Sequence, residues 1–152
     1  MPTVPYAWQK KGTTTEIPSS KGTYVTVAGF LSKNNTFFDY HLHKPVTAPT
    51  LVSIFEDFIT KTTKKTVIVL DNAPTHKAKL FKNCTRRWRS IHDVWLLFLP
   101  PYSPELNLIE ILWRKIKYQW LPDNAFYSFD NLKQSLADVC SDIGRNLNIN
   151  FV

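Results

Sequence analysis

With 152 residues, 43% of them hydrophobic and 14% aromatic, the chain can bury the core of one ordinary globular domain, which argues against disorder. No stretch approaches the ~20 consecutive apolar residues of a bilayer span, and the start lacks the charged-then-apolar pattern of a secretory leader, so a cytoplasmic protein without a membrane partner is expected. The net charge of +7 suits an anionic partner, and the two cysteines, Cys84 and Cys140, lack a C-x-x-C spacing, which argues for reduced structural thiols over a disulfide or a zinc site.

Residues 1–21 carry Pro2, Pro5, Gly12 and Pro18 among Thr, Ser and Lys, which predicts irregular chain held to the body by Tyr6 and Trp8. T-Y-V-T-V-A-G-F-L-S (23–32) is β-branched and aromatic. With T-F-F-D-Y-H-L-H (36–43) beyond the turn at Lys33, Asn34 and Asn35, it predicts a hairpin. Pro45, Thr47 and Pro49 introduce a helix to about Thr60, with Leu51, Ile54, Phe55, Phe58 and Ile59 on one stripe.

V-I-V-L-D (67–71) and V-W-L-L-F-L (94–99) are short, unbroken apolar runs, the pattern of strands buried on both faces. A helix between them, about 77–90 and started by Pro74 and Thr75, completes a parallel β-α-β unit. Asp71 then stands where its strand gives out, the end at which open α/β sheets hold ligands.

Ser103 as cap and Pro104 as first residue predict the next helix, with Leu106, Ile109, Trp113, Ile116 and Trp120 on one face. At ~100° per residue Glu110 falls roughly 80° from the centre of that stripe, able to look along the sheet edge. Pro122 ends this helix. A last one runs from Phe129 to about Asn146 with Leu132, Leu136, Val139, Cys140 and Ile143 together, and the terminal residues are expected to fray. No repeat or boundary interrupts the chain, so residues 1–152 read as a single domain.

The charge is uneven. Between residues 76 and 120 nine basic side chains (Lys77, Lys79, Lys82, Arg86, Arg87, Arg89, Arg114, Lys115 and Lys117) face three acids (Asp93, Glu105 and Glu110). A basic surface around two acids suits a polyanion whose phosphates approach carboxylate-held cations; on charge alone a solvated basic face accounts for it equally well. Hard divalent cations such as magnesium take such oxygen sites.

At these residues the chain resembles a known family. L-D-N-A-P-T-H (70–76) and L-P-P-Y-S-P-E-L-N-L-I-E-I-L-W (99–113) look like the second and third catalytic blocks of the insertion-sequence transposases of the mariner superfamily. These are DDE enzymes, named for an Asp, Asp, Glu metal-binding triad on a ribonuclease H-like fold. The resemblance implies an α/β, ribonuclease H-like mixed sheet flanked by helices, with Asp71 as the middle acid and Glu110 as the last. It also implies Mg2+ or Mn2+ as cofactor, with transposon-end and target DNA as partners, at the nucleoid in a bacterial cell. The reaction implied is hydrolysis of a phosphodiester to free a 3′-hydroxyl, followed by attack of that hydroxyl on target DNA. Leu108 stands where the family usually has Pro.

The resemblance sets residues 4–8 after the family's first catalytic strand, so the strand with the first Asp would end at or before Met1. The helix-turn-helix region that reads transposon ends would also lie outside the chain. Glu16, in a polar loop, and Asp39, inside the hairpin's second strand, are weak substitutes for the first Asp. A sheet without its first strand exposes an edge, which predicts self-association into a homo-oligomer.

Around the two acids, Asn72, His76 and Asn107 are candidate supporting residues, His76 as a phosphate or water contact or, equally, a helix-start histidine with no role, and Asn107 as a brace for the turn before Glu110. Lys77, Arg86, Arg87, Arg89, Arg114, Lys115 and Lys117 are candidate DNA contacts. Taken alone, Asp71 reads as a strand-end acid opening an Asx turn at Asn72, and Glu110 as an i to i+4 partner of Arg114 worth ~0.3 to 0.5 kcal/mol. Trp113 and Trp120 have the helical spacing of core residues. Three functions compete: a transposase catalytic domain; an inactive remnant that binds DNA or itself; and a nuclease for RNA-DNA hybrids.

Overall fold

The hairpin forms where the two β-branched and aromatic runs predict it, and it divides the two cores. In the computed structural model, which describes residues 11–12, 24–101 and 103–151, β1 (Thr26–Leu31) pairs antiparallel with β2 (Phe37–Leu42). Side chains alternate across such a pair, so each of its faces meets a different layer. Phe30, Phe38 and Tyr40 pack on the first core; Val27, Leu31 and Phe37 pack on the second. The expectations for Tyr6, Trp8 and the irregular amino-terminal segment fall outside the described residues.

The first core is built by α1 (Ala48–Thr60) and α2 (Lys79–His92). In α1 the predicted stripe is buried in full, and the Thr47 side chain caps it by accepting the Thr50 N–H. In α2 only Phe81 and Trp88 are buried, seven positions apart and therefore on one face two turns on. Phe55 meets both, stacking on Trp88 at 5.3 Å between ring centroids and meeting Phe81 edge-on at 4.9 Å. Asp93 closes α2 in the left-handed conformation, φ 51°.

Beneath these helices β3 (Thr66–Leu70) runs parallel to β4 (Val94–Phe98), with Val67 opposite Trp95 and Val69 opposite Leu97. The β-α-β unit is therefore as expected, but burial on both faces is not. Ile68, Leu70 and Val94 are buried in the first core, whereas Val67 and Leu97 are each 56% exposed and Val69 is 43% exposed. The apolar runs are real; helices cover the pair on one face only among the described residues.

The second core gathers α3 (Leu108–Lys115), the π-helical turn Ile116–Trp120 and α4 (Phe129–Asp142). The Ser128 hydroxyl caps α4 by accepting the Asn131 N–H at 3.0 Å, and Leu136, Val139 and Cys140 line its buried side. Trp113 meets Phe37 edge-on at 5.9 Å, and Trp120 lies half-buried on the same core, so both act as packing residues.

Fraying at the end is corrected by the structure. Helix α4 stops at Asp142 because Gly144 takes φ +80°, and the chain turns back along the hairpin. There Ile149, 3% exposed, donates its N–H to Asn35 Oδ1 (2.8 Å) while Asn35 Nδ2 donates to its carbonyl (3.1 Å).

Candidate catalytic site

The last ladder bond between the parallel strands joins Leu99 N–H to the Leu70 carbonyl at 2.8 Å, so Asp71 is the first residue beyond β3, at the carboxyl end of both strands. Its Oδ1 accepts the Ala73 N–H at 3.0 Å, which is the Asx turn expected there, and lies 2.8 Å from His76 Nδ1. The 3-10 turn Pro74–Lys77 brings His76 back over the acid, with the His76 N–H on the Ala73 carbonyl at 3.0 Å and its ring beside Phe81. Held through Nδ1, this imidazole fixes one oxygen of Asp71. The Asp71 side chain remains 51% exposed, and Oδ2 has no protein partner among the described residues.

Asn72 links the two sequence blocks. Its Nδ2 donates to the Leu99 carbonyl at 2.5 Å, so both backbone groups of Leu99 are tied to residues flanking Asp71. From Leu99 the chain leaves through Pro100 and Pro101 toward Glu110.

The helix carrying Glu110 starts later than predicted. Ser103 caps nothing: its hydroxyl donates to the Pro101 carbonyl at 3.4 Å, and Pro104–Leu106 is a separate 3-10 turn with Leu106 53% exposed. Helix α3 opens at Leu108 after Asn107, whose carbonyl accepts the Glu110 N–H at 2.9 Å while its side chain makes no cap bond. Asn107 therefore braces the turn through its backbone. This places Glu110 in the first turn, where the helix dipole favours an anion, and Leu112 and Ile116 bury the far side of the helix completely or nearly so. Among the described residues Glu110 makes no ion pair, so the expected Arg114 pairing is absent.

Asp71 and Glu110 are each the kind of oxygen donor a hard divalent cation takes: among the described residues neither is paired with lysine or arginine, one is held by histidine and the other stands at a helix start. The structure does not draw Asp71, His76 and Glu110 into one tight group. Among the described residues the three-residue group with donor atoms within 4.8 Å of one another is Asp39, His41 and Cys140. Asp39 is engaged with His41, at 2.8 Å. Reading the sequence missed this group. The period-2 spacing D-x-H in β2 signals that Asp39 and His41 share a face, but nothing local signals Cys140 across from them. Burial, and then the Asp39 carboxylate, pushes the Cys140 thiol up to about 12.

The basic residues are not equally available. Arg87 is paired with Glu56 of α1, and Arg89 lies 3.6 Å over the Trp95 ring, which Lys65 also approaches. Lys115 reaches Gln119 at 3.4 Å. Lys77, Arg86, Arg114 and Lys117 are exposed.

The DDE superfamily endonuclease family matches residues 1–133. The chain belongs to that family. The Sinorhizobium fredii protein y4pE/y4sA is 33% identical over 66 residues, 43% of this DDE superfamily chain and 44% of the relative. The crystal structure of the Mos1 strand transfer complex superposes with a TM-score of 0.63 at 14% identity, over 94% of this chain and 45% of that one. The fold of this family member is accordingly mixed α/β and ribonuclease H-like, as the two sequence blocks imply. The matched regions span less than half the length of either relative. Among the described residues no helix is long and apolar enough to cross a membrane.

Proposed function

We propose that this chain is the catalytic part of a transposase, cleaving DNA phosphodiesters and transferring the strand end with a divalent cation, Mg2+ or Mn2+, held by Asp71 and Glu110. The observation that carries the reading is Asp71 at the shared carboxyl end of β3 and β4, prealigned by His76 and tied through Asn72 and Leu99 to the segment that leads to Glu110. When bound, the cation activates the attacking oxygen and stabilises the leaving one. The chain's own residues do the positioning. His76 keeps the Asp71 carboxylate in one orientation, the Asn72 bond holds the departing loop, and the first turn of α3 offers Glu110 a positive dipole. Exposed Lys77, Arg86, Arg114 and Lys117 supply contacts to DNA phosphates, with Lys115 beside them; Arg87 and Arg89 join only by leaving Glu56 and Trp95.

The test is cleavage of supercoiled and linear DNA with Mg2+ or Mn2+. Metal-dependent nicking is expected, abolished by Asp71→Asn and by Glu110→Gln; undiminished nicking in either variant defeats the assignment. The concentration of basic side chains between residues 76 and 120 favours a second reading, a DNA-binding domain without turnover. It predicts binding that weakens steeply with salt and no cleavage with either cation. A hybrid nuclease is distinguished by preferring RNA-DNA hybrid over duplex DNA in the same assay.

A further inference from the structure

A second group of metal-binding side chains lies away from the acids discussed above. Residues 37, 39 and 41 share one face of β2, and on this side the hairpin is otherwise apolar: Val27, Leu31 and Phe37 pack on the core to which Val139 and Cys140 belong. Asp39 and His41 are the polar interruption of that face, at its exposed side. Asp39 stands opposite Gly29, which has no side chain to crowd it, and His41 stands opposite Val27. Cys140, 4% exposed, comes to them from α4.

We propose that Asp39, His41 and Cys140 bind a borderline-soft divalent cation, zinc or a close equivalent such as cobalt. The donor set is one oxygen, one nitrogen and one sulfur, the mixture zinc accepts and magnesium does not. Tetrahedral zinc bonds imply donor separations of about 3.3 to 3.6 Å. The three donor atoms already lie within 4.8 Å of one another, and the 2.8 Å contact between Asp39 Oδ2 and His41 Nε2 opens to admit the ion. Binding releases the thiol proton to solvent, so the ion and its two anionic ligands are together neutral.

An approach is present as well. Asp39 and His41 side chains are 33% and 29% exposed. His41 borders a cleft of about 410 Å³ that His43, Asp130 and Lys133 also line. Water from that side would complete the coordination. The ion would join β2 to α4, a structural rather than hydrolytic role, and the proposal stands whether or not Asp71 and Glu110 cleave DNA.

The test is cobalt titration of the full, metal-stripped chain. One equivalent is expected to give a sulfur-to-cobalt charge-transfer band and strong visible ligand-field bands, displaced by zinc and unaffected by a large excess of magnesium. Cys140→Ser should abolish the charge-transfer band, while Cys84→Ser and Asp71→Asn keep it, which separates this site from the other thiol and from the acids at β3. His41→Ala alters a partly exposed residue, so its fold is expected to survive, as circular dichroism would check. It should weaken cobalt binding at least tenfold and remove any zinc-induced rise in melting temperature. Absence of the charge-transfer band, its survival in Cys140→Ser, or unchanged affinity in His41→Ala overturns the proposal.

Discussion

Replacing Asn35 by alanine should be among the costliest single changes outside the helical cores. Asn35 is buried, sits at φ 62° in the hairpin turn, and satisfies both backbone groups of Ile149, 114 positions away. Each bond contributes about 0.5 to 1.5 kcal/mol net, and a buried N–H or carbonyl left without a partner costs about 1 to 3 kcal/mol. The left-handed backbone adds about 1 kcal/mol for alanine, which asparagine and glycine largely escape. Asn35→Ala should therefore lose about 3 to 5 kcal/mol, and Asn35→Gly about 1 kcal/mol less. Against a total stability of about 5 to 15 kcal/mol, either change is readily measured by urea unfolding with unchanged slope. Gly144→Ala attacks the same clasp from the other side: its methyl would lie 2.5 Å from the Asn35 carbonyl oxygen at φ +80°. An Asn35→Ala midpoint equivalent to less than about 0.5 kcal/mol of loss would refute the clasp, and a glycine variant no better than alanine would refute the backbone term.

Trp88 is 1% exposed and its Nε1 has no hydrogen-bond partner among the described residues, so Trp88→Phe sheds apolar area but also an unmet donor. It should cost under about 1.5 kcal/mol, against about 3 to 5 for Trp88→Ala; similar losses in both would contradict this. Asp57 accepts from Lys61 at 2.5 Å and from the Tyr40 hydroxyl at 2.6 Å, and these bonds, Lys61 first, hold its carboxyl below the ordinary 3.8. A depressed folded pKa stabilises above the unfolded value and is lost as pH falls through the folded one. The stability difference between the parent and Asp57→Asn should thus be present at neutral pH and close on the acid side of about pH 4; a difference independent of pH counts against it. Leu97→Lys, on the open face of β4, should leave folding within about 0.5 kcal/mol of the parent while reducing self-association. Light scattering that finds the parent monomeric at high concentration would show that this face recruits no second copy.

What could be read in advance follows from how local each signal is. The α1 stripe is periodic within thirteen residues, and every member of it is buried. The β-α-β unit was legible from two apolar runs, but such a run reports only the strand's own side chains, so the bare face of Val67, Val69 and Leu97 was not foreseeable. Ser103 and Pro104 carry correct helix-start chemistry and still yield only a 3-10 turn, because α3 begins four residues later. The pairing of Asp71 with His76 spans only five positions, but the residue types there suit a phosphate or water contact equally well. The Asn35 clasp and the meeting of Asp39 and His41 with Cys140 span about a hundred positions, and no short pattern encodes either.

The bare face of β3 and β4 also bears on what a stability measurement means for this chain. Any cover that binds the folded form and not the unfolded one adds RT ln(1 + [L]/Kd), about 2.7 kcal/mol at a hundredfold excess over Kd. The melting temperature would then depend on protein concentration or on added partner. The face belongs in part to β3, whose next residue is Asp71, so a partner seated there would also lie close to the acid.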